Sequence, residues 1–301
     1  MRLLITGWQG QLARSLIGQA AGRPEITALA VGRPALDLVA RPSILRSLTD
    51  HTPDLIVNTA AYTAVDRAET ESAAAFALNR DGALMLAEAA AAKGVPIIHV
   101  STDYVFDGAK PSPYLETDAT HPINVYGASK LAGEQAVAAA NPRHIILRTA
   151  WVHSPFGQNF VKTMLRLAAS RPRIGVVADQ LGNPTFAPHL ADAILDLAIK
   201  INHLKSQDIQ WGIYHATGAG ETTWHGFAEA IFEHARALGL PAATADPIPT
   251  SSYPTPAARP LNSRLDCGKL AANFGIRLPG WRAGVETCVQ RLSQPSIQGS
   301  P

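Results

Sequence analysis

A tyrosine and a lysine with three residues between them could together donate a proton to a carbonyl oxygen. Tyr126 and Lys130 are four positions apart in a segment that predicts a helix, so their side chains share one helix face. We expect the ammonium to favour the phenolate and to lower the tyrosine pKa, which would suit general acid catalysis. The spacing alone is common in proteins, and a purely structural role stays open.

A hydroxyl and a carboxyl side chain follow the fourth predicted strand. Thr102 and Asp103 come just after residues 96–100, at the edge where parallel sheets bind ligands. Thr102 could hydrogen-bond the same substrate oxygen as Tyr126. Asp103 could act there too, or it could cap the loop after the strand.

A loop with two glycines joins the first predicted strand to the first predicted helix. Gly7 permits a tight turn, Gly10 leaves the backbone amides open to a pyrophosphate, and Ala13 lets the helix pack closely on the sheet. The phosphates would meet the positive end of the helix dipole. The order of strand, glycine loop and helix therefore favours a nucleotide site over an ordinary turn.

The end of the second predicted strand bears on the choice between NAD and NADP. A carboxylate there would bind the adenosine 2′-hydroxyl, whereas an arginine accommodates a 2′-phosphate. The strand runs into Gly32 and Arg33 without an acid, which favours NADPH and leaves NADH possible. Arg33 could equally be a solvated loop residue, and Asp37 could contact the adenosine or cap the turn.

Short apolar segments alternate with Ala- and Leu-rich helical segments over the first half of the chain. This alternation predicts an α/β fold, with a doubly wound parallel sheet of the Rossmann type and a smaller C-terminal α/β substrate domain. Strands are predicted at 2–6, 26–31, 54–58, 96–100 and 144–148, and helices at 11–21, 42–49, 72–93 and 126–140.

The alternation is less regular after residue 150. Helices are predicted at 159–170, 188–200 and 224–238, strands at 174–178 and 212–216, and an extended loop at 241–260, which holds six prolines. We expect 1–150 to form an NAD(P)-binding domain and 151–292 mainly a substrate-binding domain. Segments near 174–200 are expected to fold back onto the first domain, and 293–301 to form a disordered tail.

The composition excludes several classes of protein. The 301 residues are 47% apolar and 17% charged, which indicates a globular chain. A net charge of +2 argues against a nucleic-acid partner, and no apolar run reaches the roughly 18 residues of a membrane helix. Two cysteines cannot form a disulfide framework, and no metal site is predicted. Without a recognisable signal peptide, we expect a cytoplasmic protein.

Four longer motifs are shared with one enzyme superfamily. They are Thr6-Gly-x-x-Gly-Gln-Leu12, Val57-Asn-Thr-Ala-Ala-Tyr-Thr-Ala-Val-Asp-x-Ala-Glu69, Ser101-Thr-Asp-Tyr-Val-Phe-Asp-Gly108 and Asn124-Val-Tyr-Gly-x-Ser-Lys-Leu-x-Gly-Glu134. The chain resembles the extended short-chain dehydrogenase/reductase superfamily and, more narrowly, the dTDP-4-dehydrorhamnose reductase family. The resemblance extends from residue 1 to about residue 281.

The resemblance implies a reaction and a cofactor site. The reaction is the NAD(P)H-dependent reduction of the C4 ketone of dTDP-4-dehydro-β-L-rhamnose to dTDP-β-L-rhamnose. Tyr126 would be the proton donor, with Lys130 as its partner and a ligand of the cofactor ribose, and Asn79 matches the helix asparagine of the superfamily. The expected cofactor contacts are Gly7, Gly10, Gln11, Leu12, Arg33, Asp37, Leu38, Ala60, Ala61, Tyr62, Tyr126 and Lys130.

The resemblance also implies a substrate site. Thr102 and Asp103 would lie at the reacting sugar, and Trp151 would pack against it. Trp151 could instead be a core residue at a domain boundary. Arg148 and Arg259 could pair with the diphosphate of a dTDP-sugar, or each could form a structural ion pair.

The chain departs from the family at one feature. Some members bind magnesium across a dimer through acidic side chains in the first helix and near residue 188. Here those segments carry Ser15 and Pro188-His189-Leu-Ala-Asp192. This argues against a magnesium-bridged dimer, and a homodimer of another kind stays open.

Two other functions stay open at this level. The chain could be a reductase or an epimerase of another nucleotide-linked 4-keto sugar, because the shape of the pocket sets the choice of sugar. It could also be a non-catalytic, NADP-binding regulatory subunit of the same fold. The presence of Thr102, Tyr126 and Lys130 counts against that second alternative.

Overall fold

The structure is a computed structural model, and it describes residues 1–294. The strands of this part are β1 (Arg2–Thr6), β2 (Thr27–Val31), β3 (Leu55–Asn58), β4 (Ile97–Thr102), β5 (His144–Thr149), β6 (Val152–His153), β7 (Arg173–Val177), β8 (Leu181–Gly182), β9 (Thr185–Phe186), β10 (Gly212–His215), β11 (Thr222–Thr223) and β12 (Thr244–Ile248). The helices are α1 (Gln11–Ala20), α2 (Arg41–His51), α3 (Val65–Ala68), α4 (Ser72–Phe76), α5 (Ala83–Ala92), α6 (Val125–Ala140), α7 (Phe160–Ala168), α8 (Ala187–His203), α9 (Trp224–Ala237), α10 (Gly268–Phe274) and α11 (Trp281–Ser293). A π-helical segment, Ala77–Gly82, joins α4 to α5. No helix in residues 1–294 has the length and apolar character that a membrane span needs.

The central sheet has six parallel strands in the order β10-β5-β4-β3-β1-β2. Strands β1 and β3 are almost wholly buried, and their continuous apolar sequences reflect burial on both faces. Because β1 lies between β2 and β3, the strand order reverses at β1. The carboxyl end of β1 is therefore the switch point where open α/β sheets bind ligands. The predicted doubly wound parallel sheet is confirmed.

Successive residues of the central strands pack against different helical layers. Leu3 and Ile5 of β1 pack with α1 and α8 on one face of the sheet. Leu4 packs with α2 and α5 on the other face. This alternation is the period of two that a strand imposes on its side chains.

A second core lies beside the sheet and holds α7, α9 and α11 together with β7. Helix α8 packs on α1, and β10 extends the main sheet beside β5. Strand β7 was expected near the first domain, together with α8. It pairs instead with β12, because Ile174 and Val176 bury their side chains in the second core.

The prediction of an extended loop at 241–260 is only partly correct. Strand β12 pairs in parallel with β7, and a 3-10 turn follows at Thr250–Ser252. Pro247 fits in β12 because this strand is one edge of a two-stranded sheet, where a missing N–H is tolerated.

The predicted C-terminal tail lies mostly outside the described residues. Ser293 is the last residue of α11, and Gln294 follows it. Residues 295–301 are beyond the part of the chain that the structure describes.

Candidate active site

The first turn of α1 lies at the carboxyl end of β1. Gly7 has a φ of 85°, which glycine adopts without strain, and a Cβ there would lie 3.2 Å from Ala60. The N–H of Gly10 donates to the carbonyl of Gly7 at 3.0 Å, and Gly10 caps α1 without a side-chain hydrogen bond. The open N–H groups of this first turn are suited to an anion such as a phosphate.

Gln11 and Leu12 begin this helix, and their side chains point to different partners. The Oε1 of Gln11 accepts hydrogen bonds from Ser154 Oγ at 2.8 Å and from Asn159 Nδ2 at 2.9 Å. Its side chain therefore ties the glycine loop to the segment before α7. The side chain of Leu12 is buried in the core between α1 and the sheet.

An exposed tryptophan lies at the end of β2. The indole of Trp8 covers Gly32, where a Cβ would overlap the ring, and half of its surface is exposed. The next residue, Arg33, is also exposed. Trp8 is not among the predicted site residues, although the sequence places it inside the glycine loop, directly after Gly7.

Asp37 and Leu38 lie in the turn between β2 and α2. The Oδ1 of Asp37 accepts the N–H of Val39 at 3.2 Å, and the N–H of Asp37 donates to Ser43 Oγ at 2.9 Å. Leu38 is buried in the layer formed with α2 and α5. The carboxylate of Asp37 thus caps the turn, and its contact with an adenosine stays a prediction.

The segment 60–62 is fixed against α6 by Asn79. The side chain of Asn79 accepts the N–H of Tyr62 at 2.8 Å and donates to the carbonyl of Tyr62 at 3.1 Å. It also donates to Ser129 Oγ at 2.9 Å, and that hydroxyl donates to the carbonyl of Tyr126 at 2.7 Å. Asn79 therefore positions the predicted cofactor segment relative to the predicted proton donor.

Tyr126 lies in the first turn of α6, close to the end of β4. The Oδ1 of Asn124 accepts the N–H of Gly127 at 2.7 Å and caps the helix. Gly127 allows a close approach, because a Cβ there would overlap the carbonyl oxygen of Tyr104. The rings of Tyr104 and Tyr126 meet edge to face, with centroids 6.0 Å apart. The sequence thus brings Tyr126 to the strand end that carries Thr102.

The expected lowering of the Tyr126 pKa is wrong for this structure. Burial raises the pKa of Tyr126 to about 12, the neighbouring Thr102 hydroxyl opposes the rise, and the charge of Asp103 adds to it. The ammonium of Lys130 is turned to β4, where it donates to the carbonyl of Val100 at 2.7 Å. The spacing of four places Tyr126 and Lys130 on one face of α6, but the long side chain of Lys130 ends at β4 and not at the phenol.

Lys130 is almost fully buried. Burial lowers the pKa of Lys130 to about 8, and Glu134, one turn further along α6, opposes this shift. Burial removes the water that stabilises an ammonium, and the charged form of Lys130 is therefore less favourable than in solvent.

Asp103 is buried beside Thr102. The hydroxyl of Thr102 donates to Asp103 Oδ1 at 2.9 Å and accepts the N–H of Tyr104 at 3.2 Å. The other oxygen, Oδ2, is buried without a hydrogen-bond partner within residues 1–294. Burial raises the pKa of Asp103 to about 7, and the hydroxyls of Ser263 and Thr102 oppose the rise. An orphaned carboxyl oxygen at a strand end suits a polar ligand.

Trp151 has an unusual backbone and a defined packing role. Its φ of 45° lies in the left-handed region, a strain that residues other than glycine seldom carry. The indole stacks on that of Trp224, with centroids 3.6 Å apart, and covers Gly182. Trp151 therefore packs at the edge of the second core, and contact with a sugar stays a prediction.

Arg148 forms a structural ion pair. Its guanidinium donates to both carboxyl oxygens of Glu134, at 2.9 and 2.6 Å, and both side chains are 2% exposed. This buried position excludes a contact with a substrate diphosphate. Arg259 is more accessible, and it pairs with Asp66 at 2.9 Å.

The segments named for a magnesium bridge have other contacts. Ser15 is buried and donates to the carbonyl of Gln11 at 2.8 Å. The carboxylate of Asp192 accepts from Gln19 at 2.6 Å and pairs with Arg23 at 3.2 Å. The contacts of Asp192 join α8 to α1 and to the turn that follows it, within the chain.

Comparison with known proteins settles the family. The family model described as "RmlD substrate binding domain" matches residues 1–294. The dTDP-4-dehydrorhamnose reductase of Sinorhizobium fredii is 52% identical over 292 residues, which cover 97% of this chain and 98% of that protein. The chain belongs to the dTDP-4-dehydrorhamnose reductase family.

Solved structures of dTDP-4-dehydrorhamnose reductases have the same fold. The one from Clostridium acetobutylicum is 34% identical, with a TM-score of 0.90 over 98% of this chain and 100% of that chain. The one from Bacillus anthracis, in complex with NADP, is 35% identical, with a TM-score of 0.88 over 96% of this chain and 99% of that one. The resemblance seen in the motifs and the assignment to the oxidoreductases are confirmed.

Proposed function

We propose that the chain catalyses the NADPH-dependent reduction of the C4 ketone of dTDP-4-dehydro-β-L-rhamnose, which gives dTDP-β-L-rhamnose. Membership of the dTDP-4-dehydrorhamnose reductase family supports this reaction. The observation that carries it is the position of α6, which brings Tyr126 to the end of β4 beside Thr102, at the sheet edge that also holds the glycine loop.

A dinucleotide fits the edge of the sheet around β1. The first turn of α1, which has no side-chain cap, offers N–H groups to a pyrophosphate, and Gly10 leaves that approach free of a side chain. Arg33, exposed beyond β2 where an acid is absent, suits a 2′-phosphate. When bound, NADPH supplies a hydride to the carbonyl carbon. NADH is the weaker candidate, and the relative from Bacillus anthracis was solved with NADP.

Tyr126 holds the proton that the reduced carbonyl oxygen needs. Because its pKa is raised to about 12, the phenol is fully protonated at neutral pH. An alkoxide developing at the sugar C4 is more basic than the phenolate and takes this proton. Thr102 orients the same oxygen, and Lys130 would hold the cofactor ribose and assist Tyr126. General acid catalysis of this kind contributes about 10²–10⁴-fold.

The substrate would lie between the sheet and the second core. The orphaned Oδ2 of Asp103 would bind a sugar hydroxyl, and Trp151 would form an apolar wall. We propose that residues 1–150 bind the coenzyme and that 151–292 mainly bind the dTDP-sugar, with α8 and β10 completing the first unit. A homodimer is compatible with this scheme, which needs no metal ion.

Coenzyme consumption tests this function. The purified chain is mixed with dTDP-4-dehydro-β-L-rhamnose, and the absorbance of NADPH and then of NADH is followed, each with and without EDTA. We expect stoichiometric loss of NADPH, dTDP-β-L-rhamnose as the product, slower loss of NADH and no effect of EDTA. No loss of either coenzyme, with NADPH still bound, would reject the function in favour of another keto sugar or a regulatory subunit. Tightly retained NAD without net consumption would indicate an epimerase.

A further inference from the structure

The segment 257–263, from the C-terminal half of the chain, lies against the end of β4. Pro260 packs so closely on the backbone of Gly108 that a Cβ on that glycine would overlap it. The hydroxyl of Ser263 lies near the carboxyl of Asp103, the residue that follows β4. Because β4 ends at the proposed sugar site, this segment forms one side of that site.

Asn124 joins this segment to the start of α6. Its Oδ1 accepts the N–H of Gly127 at 2.7 Å, which caps the helix. Its Nδ2 donates to the carbonyl of Ala258 at 2.9 Å. The residue is 7% exposed, so water competes little for either contact. One planar amide group therefore holds the helix start with its oxygen and the segment with its nitrogen.

Helix α3 holds both partners from the other side. The Oδ1 of Asp66 accepts from Arg259 at 2.9 Å and from the N–H of Ala257 at 3.3 Å. The Oε1 of Glu69, which follows α3, accepts the N–H of Val125 at 2.9 Å. Helix α3, helix α6 and the segment thus form a closed ring of polar contacts, and the cap of α6 is the link between the helix and the segment.

Capping alone does not account for an asparagine at position 124. Serine, threonine and aspartate cap helices about as well as asparagine does. A hydroxyl side chain is shorter than an amide, and a carboxylate has no donor, so neither could also hold the carbonyl of Ala258. Asparagine supplies an acceptor for the helix and a donor for the segment at once.

We propose that Asn124 is a positioning residue that places Tyr126 and the segment 257–263 relative to each other. The phenol lies two residues beyond this cap, so the contact that holds the segment begins in the turn that carries the proton donor. This inference rests on the proposed function, in which Tyr126 protonates a sugar bound beside Asp103. Loss of the contact with Ala258 should therefore impair the use of the sugar and leave the coenzyme bound, because the glycine loop lies at the end of β1.

The variant Asn124→Asp keeps the cap and breaks the link. Its carboxylate still accepts the N–H of Gly127, but it opposes one oxygen to the carbonyl oxygen of Ala258. Hydrogen–deuterium exchange of the free chain, followed by mass spectrometry, should be at least about fivefold faster in peptides covering 253–261, which hold the amide of Ala257, and unchanged in α6. An unchanged rate in 253–261 would overturn the proposal.

Steady-state kinetics separate positioning from capping. In Asn124→Asp we expect kcat/KM for dTDP-4-dehydro-β-L-rhamnose to fall about tenfold, while the Kd of NADPH, measured by fluorescence titration, stays within about twofold of wild type. If Asn124 only capped α6, aspartate would serve equally well and neither value would change. A wild-type kcat/KM in an active preparation of this variant would therefore contradict the proposal.

The matched control is Asn141→Asp, at the other end of α6. Asn141 has the same pair of contacts, since its Oδ1 accepts the N–H of Arg143 at 2.9 Å and its Nδ2 donates to the carbonyl of Val95 at 3.0 Å. This variant should keep the wild-type exchange of 253–261 and the wild-type kcat/KM. An equal effect in Asn141→Asp would count against a specific role for Asn124.

A second variant, Asn124→Ser, decides the matter should Asn124→Asp fail to fold. Serine caps α6 without a charge and is too short to hold the carbonyl of Ala258, so peptides covering 253–261 should again exchange faster. Wild-type exchange in Asn124→Ser would overturn the proposal. The exchange measurement needs neither substrate nor coenzyme, so an inactive chain whose segment is released as expected would reject only the proposed function.

Discussion

Tyr126 and Lys130 share a face of α6, yet burial acts on them in opposite directions. It keeps the phenol protonated and makes the ammonium less stable. Both shifts favour the neutral form, because a charge loses its hydration when it is buried. At neutral pH the phenol of Tyr126 is therefore fully protonated, whereas Lys130, with its pKa lowered to about 8, is still mostly charged and loses its proton only slightly above neutral pH.

Replacing the proton donor tests this arrangement. Tyr126→Phe keeps the ring and removes the hydroxyl, so kcat should fall about 10²–10⁴-fold while the Kd for NADPH changes little. Steady-state kinetics and a fluorescence titration measure the two effects. Tyr214→Phe is the matched control, because Tyr214 lies on β10, at the far edge of the sheet, and its hydroxyl donates to the carbonyl of Gln210. Wild-type kcat in Tyr126→Phe would exclude this role for the phenol.

The buried carboxyl of Asp103 should make stability depend on pH. Its pKa of about 7 in the fold lies above the value of about 3.9 in an unfolded chain. The stabilising contribution of the neutral carboxyl is therefore complete below about pH 4 and is lost as the pH rises to about 7. Asp103→Asn removes this titration, so its Tm relative to wild type should increase from pH 4 to pH 8, by roughly several degrees.

Thermal unfolding at a series of pH values measures this difference. Asp50→Asn, which changes an exposed carboxyl in α2, is the control and should show no such trend. A Tm difference for Asp103→Asn that is constant with pH would show that the carboxyl is ionised throughout.

At the scale of elements, α6 is the part that assembles the site. Its N-terminal turn packs on the segment after β4 through Gly127, and its middle packs on the π-helical segment through Gly133. A Cβ at either glycine would overlap a backbone carbonyl oxygen, that of Tyr104 or that of Asn79. Backbone-to-backbone contacts of this kind fix the distance of Tyr126 from Thr102.

Gly127→Ala should therefore displace the start of α6. The added methyl group meets a carbonyl oxygen that belongs to the backbone and cannot rotate away, so we expect both a lower Tm and a loss of kcat of about tenfold or more. Gly18→Ala, in α1, has open space at its Cβ and should instead stabilise the chain by about 1 kcal/mol. Thermal unfolding and kinetics on both variants decide. A fully active, stable Gly127→Ala would show that this contact does not position Tyr126.

Most of these elements could be predicted from the sequence. Residues 126–140 were predicted as a helix and α6 is Val125–Ala140, because the Ala- and Leu-rich composition of this segment is a local signal. The two-residue strands β6, β8, β9 and β11 carry no such signal. Strand β12 could not be predicted, because Pro247 is unusual in a strand. Its pairing with β7 also depends on a partner about seventy residues away in sequence.

The sequence predicted which of these side chains lie close together, but not their protonation. Motif spacing named Tyr126, Thr102 and Lys130, which do lie around one strand end. The direction in which the Lys130 side chain turns depends on His99 and Val100, and these contacts arise only from the tertiary structure. The pKa values follow from burial, which local sequence does not show.

At the scale of the whole molecule, the order of the sheet places the proposed coenzyme and sugar sites along one edge. The glycine loop follows β1 and Thr102 ends β4, while Trp151, which comes soon after β5 in the chain, packs against the second core. The carboxyl ends of parallel strands meet at that edge, so one topology gathers residues far apart in sequence. Under the proposed function, we expect the hydride to pass directly from the coenzyme to the sugar.

Isotope transfer tests that consequence most directly. NADPH carrying deuterium at the transferred position of its nicotinamide C4 is mixed with the chain and dTDP-4-dehydro-β-L-rhamnose in ordinary water, and the product is examined by NMR and mass spectrometry. We predict dTDP-β-L-rhamnose with one deuterium, located on C4 of the sugar. A product without deuterium, or with deuterium on another carbon, would contradict direct hydride transfer to the C4 ketone.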